Sequence, residues 1–389
     1  MYYLKGKRPF VHVDGDPWPA AVLPGLTGGD ATLGADSIVL KYDRFSEIIN
    51  PASPEYLGDP NAPGWPTGYA ATLLPLSLIE YLRRNGATDD VILIDRAING
   101  SEIYSDGALF WLATDAVDAT WEKTFAVKGG NDKLPRAFTA ALGDIVKYGC
   151  VATGIEHGSR GARVTSTQRR RSHTIDVDHV VCALPFSTLR DLQIRPAFPA
   201  DKREVIRNLR MMPVSRCCLQ TKSRFWQRRG IGGLKVARTD TAIDRFWDHT
   251  DVQDGPSGIL GAYMQNQTAV DYAAAGPTFT TRSRRGVKVS KPFFPELEVE
   301  VEVTAGLEKI WQNDRWAKGG SAFFGPGEQD MFPIAKRSEG RVHFCGEHTS
   351  AWSGWMQGAF ESANRVVAEI GEAGAVDRVV RHARAAKTG

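Results

Sequence analysis

The 389-residue chain is 42% hydrophobic and 24% charged, enough apolar material for a substantial core and a length that fits two domains. A net charge of +3 argues against a nucleic-acid partner, and the basic clusters QRRRSH (168–173) and TTRSRRGVKVSK (280–291) carry no interleaved aromatics, so both read as solvated loops. No stretch approaches the ~18 apolar residues of a membrane span, MYYLKGKRPF has no signal core, and the five cysteines (150, 182, 217, 218, 345) lack CxxC spacing; together these fit reduced thiols in a cytoplasmic protein.

Along the chain, residues 1–70 are rich in Gly, Pro and Asp and are expected to be irregular. TLLPLSLIEYLRRNGA (72–87) has apolar residues at helical spacing and a glycine stop, and DGALFWLATDAVDATWEKT also reads as helix. GGNDKLPRAFTAALGDIVKYG reads as a glycine turn, a helix from Leu134 to Leu142 and a short strand. Strands dominate from 150 to 184, among them ARVTST and the buried run DVDHVVCALP, which a proline stops. SRCCLQTKSRFW and SGILGAYMQ point to a second sheet, and ELEVEVEV alternates as a strand with one charged face. Residues 273–298 stand where an amphipathic helix is expected, yet their Thr/Arg/Ser-rich composition shows no helical period.

Chemistry concentrates in RVHFCGEHTSAWSGWMQGAFESANRVVAEI, at 341–370. An apolar strand ends at Gly346, which removes the side chain where backbone must approach a ligand closely. Glu347 then offers a carboxylate at the strand end, suited to ribityl or ribose hydroxyls. The helix beginning near Gly354 has free amides at Met356, Gln357 and Gly358, an electropositive end suited to a flavin carbonyl or a pyrophosphate. Trp355, Ala359, Ser362, Val366 and Ile370 are expected to pack that helix down. HxxxEH at 343–348 matches neither metalloprotease order and lies on a strand and turn, where the two imidazoles cannot converge, so no metal is expected.

This stretch resembles the C-terminal flavin motif of the flavin-containing amine oxidase superfamily, and further similarity follows in family order. GGNDKLPRAF resembles the Gly-Gly-x-x-x-Leu-Pro element, and YGCVATGIE resembles the strand whose backbone touches adenine, at Ala152. DHVVCALP, SRCCLQTKSRFW, TDTAIDRFWDHT, GILGAYM and WQNDRWAKGGSAFFGPGEQ complete a match over 120–370. The resemblance implies an α/β fold of mixed character: a discontinuous FAD-binding-type flavin domain from 121–190 and 336–372, and a substrate domain with a mixed sheet from 191–335. Residues 1–120 would add a helical and loop layer on the substrate side, and 373–389 a tail.

L-amino-acid oxidases are the nearest group in this resemblance. Gly319 stands where covalent members carry the flavin-linking cysteine, which implies non-covalent FAD. Gly320 matches the lost tyrosine of their aromatic cage, and Trp355 matches the wall that remains. The resemblance further implies that the Gly354 carbonyl holds the substrate amine, that Tyr263 bonds its carboxylate, and that Trp247, Ser321 and Phe323 line the pocket. The family's sheet lysine falls at Arg216. An arginine keeps its proton, so it can position a water but cannot act as a base.

The implied chemistry is oxidation of an L-amino acid or other amine by FAD, with dioxygen as electron acceptor; the products are an imine, then an oxo acid, ammonia and hydrogen peroxide. One family element has no counterpart, the strand–GxGxxG–helix unit that binds the FAD pyrophosphate. MYYLKGKR resembles a point beyond it, and GLTGGDATLG neither follows a strand nor opens a helix. Three alternatives stay open: a start placed too late, a partner chain carrying that unit, or an inactive remnant.

Overall fold

The computed structural model describes residues 2–4, 17–26, 28–44, 56–60, 62, 64–118, 127–229, 237–250, 254–291, 294–297 and 301–388, with backbone alone at 2–3, 301–304 and 373–388. The chain opens on β1 (Tyr2–Tyr3) and continues through α1 (Ala35–Tyr42), α2 (Gly68–Leu73), α3 (Leu78–Arg84), α4 (Asp89–Asn99) and α5 (Ala108–Asp118). Next come α6 (Lys133–Leu142), β2 (Val151–His157), β3 (Ala162–Gln168), β4 (Arg171–Val177), β5 (Val180–Cys182), α7 (Phe186–Leu189), β6 (Gln193–Arg195) and α8 (Ala200–Asn208). The strands β7 (Arg210–Met211), β8 (Val214–Thr221), β9 (Ala237–Thr239), β10 (Arg245–Asp248) and β11 (Gly258–Gln265) lead to α9 (Asn266–Ala274) and α10 (Phe279–Ser290). The chain closes with β12 (Val301–Ile310), β13 (Ala322–Phe323), α11 (Met331–Lys336), β14 (Val342–Phe344) and α12 (Met356–Thr388).

Two compact units result, one from Met1–Ala113 and Arg210–Asp330, the other from Thr114–Leu209 and Met331–Gly389. In the first, a six-stranded sheet runs β1-β9-β10-β11-β8-β12, antiparallel except for β1 beside β9. Strand alternation gives this sheet two different faces. Cys217, Leu219, Phe246, Leu260, Ala262 and Met264 point to the core, where they meet Trp226, Tyr272 and Phe294. Arg216, Cys218, Arg245, Trp247 and Tyr263 alternate with them and point the other way.

Local chemistry sets the helices. Pro75 splits 72–87 into α2 and α3 where one helix was expected, since a proline inside a helix removes a backbone donor. Ser77 opens α3 with a capping box: its hydroxyl accepts from the Glu80 amide at 3.2 Å, and its own amide donates to Glu80 Oε2 at 2.9 Å. Among its described residues, the region expected to be irregular contains α1, which buries Ala35, Ile38, Val39 and Tyr42, and the start of α2. DIVKYG forms a short 3-10 turn at Gly143–Ile145 in place of a strand. The basic segment at 280–291 is a helix and not a loop. Thr278 caps α10, and the residues it buries are Ser283, Gly286, Val287 and Ser290. Those fall at helical spacing, but three of the four are small, and the large apolar residue on that face, Phe279, stands only at its N-terminal end.

The second unit contains the β4-β3-β2-β6 sheet and a parallel pair, β14 beside β5. QRRRSH forms the β3–β4 turn, with Arg169 and Arg170 at positive φ. The two glycine- or proline-ended apolar strands of the sequence, DHVVCALP and RVHFCG, are the strands that pair here. All three residues of β14 are buried, as in a strand covered on both faces. Among the described residues, no helix is long and apolar enough to cross a membrane.

Candidate functional site

In the second unit the candidate residues gather at the turn between β14 and α12. Gly346 takes φ +121° and Gly354 φ +79°, conformations that disfavour a side chain. Gly346 N–H donates to the buried Ser362 hydroxyl at 2.9 Å, fastening the turn to the second turn of α12. Gly358 is needed for a different reason: a Cβ there would lie 2.3 Å from the Trp352 carbonyl oxygen and 3.2 Å from Glu347 Cα. The helix N-terminus can therefore seat directly against the Gly-Glu turn.

Glu347 Oε2 accepts from the Gly354 amide at 2.9 Å and from Ser353 Oγ at 3.1 Å. The carboxylate thus shapes the loop that carries Trp355. Trp355 and Met356 are 41% and 43% exposed, and Gln357 and Ala359 are exposed too, so the expectation that Trp355 and Ala359 pack the helix down is corrected. Gly358, Ser362 and Val366 are the buried side of the helix's first turns. The Gly358 amide, expected to be free, donates to the Trp355 carbonyl at 3.1 Å, which leaves the Met356 and Gln357 amides at a helix N-terminus flanked by an exposed indole and a carboxylate, an arrangement that fits the edge of a flavin. Ala152 lies at the irregular start of β2, opposite Ser166 of β3.

Two buried histidines stand beside this turn. His343 Nδ1 lies 3.0 Å from Ser338 Oγ and 3.2 Å from Glu369, and its Nε2 lies 3.0 Å from His179. These contacts stitch β14 to α12, and among the described residues no cluster could hold a metal ion. His348 sits edge-on to Phe186 at 4.7 Å, and burial pushes its pKa down to about 3, helped by the Lys202 and Arg365 charges.

In the first unit, register aligns Arg238, Arg245, Tyr263, Arg216 and Lys309 across β9, β10, β11, β8 and β12. Arg216 Cζ lies 4.9 Å from the Tyr263 ring centroid, and Arg245 Cζ lies 6.0 Å from it. Trp247 packs against the same ring at 5.4 Å. Burial raises the Tyr263 pKa, so the phenol stays protonated and can donate. Gly320 packs against Val214, where a Cβ would be 2.5 Å from Val214 Cγ2, and Val214 shares the sheet face of Arg216. The Ser321 carbonyl accepts from the Met212 amide at 2.7 Å, while Phe323 is buried under the Arg210 guanidinium at 4.4 Å. A Cβ at Gly319 would fall 2.5 Å from Met211 Cβ, so this position has no room for a cysteine.

Arg245 is the residue that sequence reasoning missed. It stands two positions before Trp247, and the period of two puts both on one face, which was signal enough. Arg245 Nη2 donates to the Asn99 carbonyl at 2.6 Å and lies 3.7 Å from Glu102. Behind it Gln265 Nε2 donates to Glu102 at 2.6 Å, and burial raises the Glu102 carboxyl to about 7. The adjacent Arg96–Asp244 pair, at 2.7 Å, is almost wholly buried. Its Asp244 carboxylate accepts from the Gln265 amide at 2.8 Å and from Thr268 Oγ1. This network fixes β10 and the end of β11 behind the Tyr263 face.

The candidates thus fall into two sets. Gly346, Glu347, Gly354, Trp355, Met356, Gln357, Gly358, Ala359 and Ala152 belong to one unit, and Arg216, Tyr263, Trp247, Gly320 and Ser321 to the other.

Comparison with known proteins agrees on fold and family. The chain is 30% identical over 257 residues to YobN of Bacillus subtilis (strain 168), covering 63% of this chain and 52% of that one. It is 28% identical over 278 residues to the flavin-dependent L-tryptophan oxidase RebO of Lentzea aerocolonigenes, covering 69% and 57%. The chain therefore spans about half the length of the curated relatives it matches. Among solved structures, a redesigned putrescine oxidase superposes with a TM-score of 0.73 at 19% identity, covering 88% of this chain and 77% of that one, and so has the same fold. The family model for flavin containing amine oxidoreductases matches residues 56–371, and the chain belongs to that family.

Proposed function

We propose that the protein is the substrate-binding and flavin-edge part of an FAD-dependent oxidase acting on the amine of an L-amino acid, with dioxygen as the final acceptor. The observation that carries this reading is the turn at Gly346–Glu347, closed against the N-terminus of α12 with Trp355 exposed beside it. When bound, the flavin accepts the two electrons of the amine and passes them to dioxygen, so that the released imine hydrolyses to an oxo acid and ammonia. The chain's own residues orient and exclude. Glu347 and the open amides of Met356 and Gln357 would hold the flavin, the Gly354 carbonyl would accept from the substrate amine, and Trp355 would confine it. The Arg216 guanidinium offers hydrogen-bond donors and no acceptor.

The flavin would be held without a covalent bond, a reading supported by the closed space at Gly319. Ala152, on β2, is the proposed backbone contact for the adenine end. Pyrophosphate binding in this architecture needs a glycine-rich turn at a helix N-terminus, and the described residues supply none. A segment or partner chain bearing that turn would complete the site. Its seat would be the exposed apolar side of the second unit, which includes Phe138, Leu142, Ile145, Val181 and Phe360.

The test is to supply FAD and a dinucleotide-binding segment taken from a relative, then assay peroxide and oxo acid across L-amino acids and simple amines. Turnover confined to amino acids is the expected result. A reconstituted, yellow complex that oxidises none of them would overturn the reading.

A further inference from the structure

Where α7, β6 and α8 meet in the second unit there is a cleft of about 370 Å³, toward the small end of ligand pockets, which run from about 300 to 1,000 Å³. Its floor is apolar: Leu189, Phe198 and Ile206 are buried, and Leu192 and Ile194 are half-buried. Strand alternation turns Ile194 inward between the exposed Gln193 and Arg195. Its rim is cationic. Arg190, Arg203 and Arg207 line it and are exposed, and among the described residues none of the three meets a carboxylate at ion-pair distance. Arg203 and Arg207 stand one turn apart on α8, with Ile206 on the same face. Arg190 is held in one pose: its Nε donates to the Ile206 carbonyl at 2.6 Å and its Nη2 to the Leu209 carbonyl at 2.5 Å, while its Nη1 donates to no described acceptor. Burial lowers the Arg190 pKa although the neighbouring Asp191 charge opposes this, so the guanidinium is short of countercharge. An exposed arginine ordinarily extends into water while its stem covers apolar surface. Arg190 departs from that pattern, because two backbone carbonyls fix it and a ligand at its free edge orders it little further.

We propose that this cleft binds a small amphipathic anion, with its apolar chain on the floor of Leu192, Ile194 and Phe198 and its carboxylate or phosphate head among Arg190, Arg203 and Arg207. A neutral chain leaves the three cations unpaired and an ammonium is repelled by them, whereas an ionised head meets planar donors that favour charge-assisted hydrogen bonds. The small volume admits a chain of moderate length or a single ring, and not a folded partner. The site lies wholly within the second unit, shares no residue with the flavin-edge turn and does not rest on the oxidase reading.

The test is calorimetric titration of the full chain with octanoate below its micellar concentration, and with octylamine and octanol, which carry the same chain with a cation and with no charge. Ala197→Trp, at an exposed position on the cleft wall, fills the floor, so the heat it removes is the heat of the cleft and excludes chains adsorbed elsewhere on the apolar surface of this unit. That heat is expected for octanoate and is not expected for octylamine or octanol. Arg203→Gln combined with Arg207→Gln should weaken octanoate about tenfold or more, the loss of charge-assisted contacts. Arg190→Gln should do the same; if it does not fold, because the Ile206 and Leu209 carbonyls lose their donor, the double variant decides. Arg171→Gln removes an exposed cation from β4, at the opposite edge of the β4-β3-β2-β6 sheet, and should leave the affinity unchanged, which separates a site from a general positive field. Octyl phosphate binding more tightly than octanoate assigns a phosphate head, and the reverse order assigns a carboxylate; either upholds the site. Octanol matching octanoate in the heat of the cleft, equal affinity of the native chain and the folded double variant, or no octanoate heat removed by Ala197→Trp overturns it.

Discussion

The Glu347 carboxylate accepts a hydrogen bond from the Gly354 amide at 2.9 Å, so the residue expected to hold a flavin also closes the loop beside it. The two roles separate by substitution. Glu347→Gln keeps an acceptor for the Gly354 amide and the Ser353 hydroxyl but removes the negative charge, whereas Glu347→Ala removes both. In a reconstituted enzyme Glu347→Ala should lose about 1.5–3 kcal/mol of flavin affinity, the range for a charge-assisted hydrogen bond, and should also loosen Trp355. Glu347→Gln should lose flavin and leave the tryptophan emission unchanged. Flavin absorbance after dialysis decides the matter, and full retention in the alanine variant would reject the assignment.

A second expectation concerns acid. Buried His348 has its pKa lowered from 6.5 to about 3, first by desolvation and then by the Lys202 and Arg365 charges. A lowered folded pKa gives stability that is present above 6.5 and is lost as pH falls toward 3, because the unfolded chain takes up the proton first. At pH 5 the loss from this one residue is about 2 kcal/mol. His348→Phe keeps a ring against Phe186 and removes the titration, and His348 Nε2 has no hydrogen-bond partner among the described residues to be missed. Its melting temperature should fall less between pH 7 and pH 5 than that of the native chain. Parallel curves would show that His348 is not the titrating group.

The sequence made some of this visible and hid the rest for identifiable reasons. Strands such as β8, β11 and β14 announced themselves through apolar alternation or runs, and Gly346 through its place at a strand end, whereas the packing that requires Gly358, against the Trp352 carbonyl, was not legible. Helix α10 was hidden because its buried stripe mixes small residues, Ser283, Gly286 and Ser290, with only Phe279 and Val287 as apolar marks of the period. Pro75 was read through, although it alone separates α2 from α3. In the site, Tyr263, Trp247 and Arg216 were named singly. Their convergence depends on cross-strand register between β10, β11 and β8, a long-range property that no local spacing encodes. Trp355 is exposed where its size alone predicts burial, and only the resemblance, which matches it to the remaining wall of the aromatic cage, pointed away from a core role.

Lys202 offers a stability test in the second unit. Its ammonium is buried and donates to the carbonyls of Ile334, Ala335 and Arg337 at 2.8, 2.7 and 2.7 Å, with Nζ 3.7 Å from the Phe344 ring centroid. It therefore supplies donors to the end of α11, where helix carbonyls lack partners. Lys202→Met fills the space but leaves the Ala335 and Arg337 carbonyls without this donor, while the Ile334 carbonyl keeps the Arg337 amide at 3.3 Å, and should cost about 2–4 kcal/mol. Burial lowers the Lys202 pKa from 10.5 to about 7, so holding the ammonium in place costs more as pH falls from 10.5 to about 7, and stability rises with pH across that window. The methionine variant should be less stable throughout and should lose that rise with pH. Urea melts at pH 7 and pH 9 measure both, and an unchanged midpoint would show that the three carbonyls are satisfied without it.

The last expectation concerns the face left bare in the second unit. Leu134, Phe138 and Leu142 recur at four-residue spacing on α6, yet no residue of that helix is buried. Phe138 meets Phe360 of α12 with ring centroids 5.9 Å apart, both rings exposed, and Ile145, Tyr148 and Val367 are exposed as well. An amphipathic helix is stable in water only when its apolar stripe is covered, and uncovered apolar area drives association. The chain alone should therefore self-associate, bind a hydrophobic dye and retain no flavin. Adding a dinucleotide-binding segment should remove dye binding and restore colour in parallel, since one surface serves both. Phe138→Ser combined with Leu142→Ser separates the effects: the chain alone should become more monodisperse by light scattering, while the reconstituted complex should take up less flavin. If the double variant scatters like the native chain and loads flavin equally well, the α6 face is not the seat of that segment.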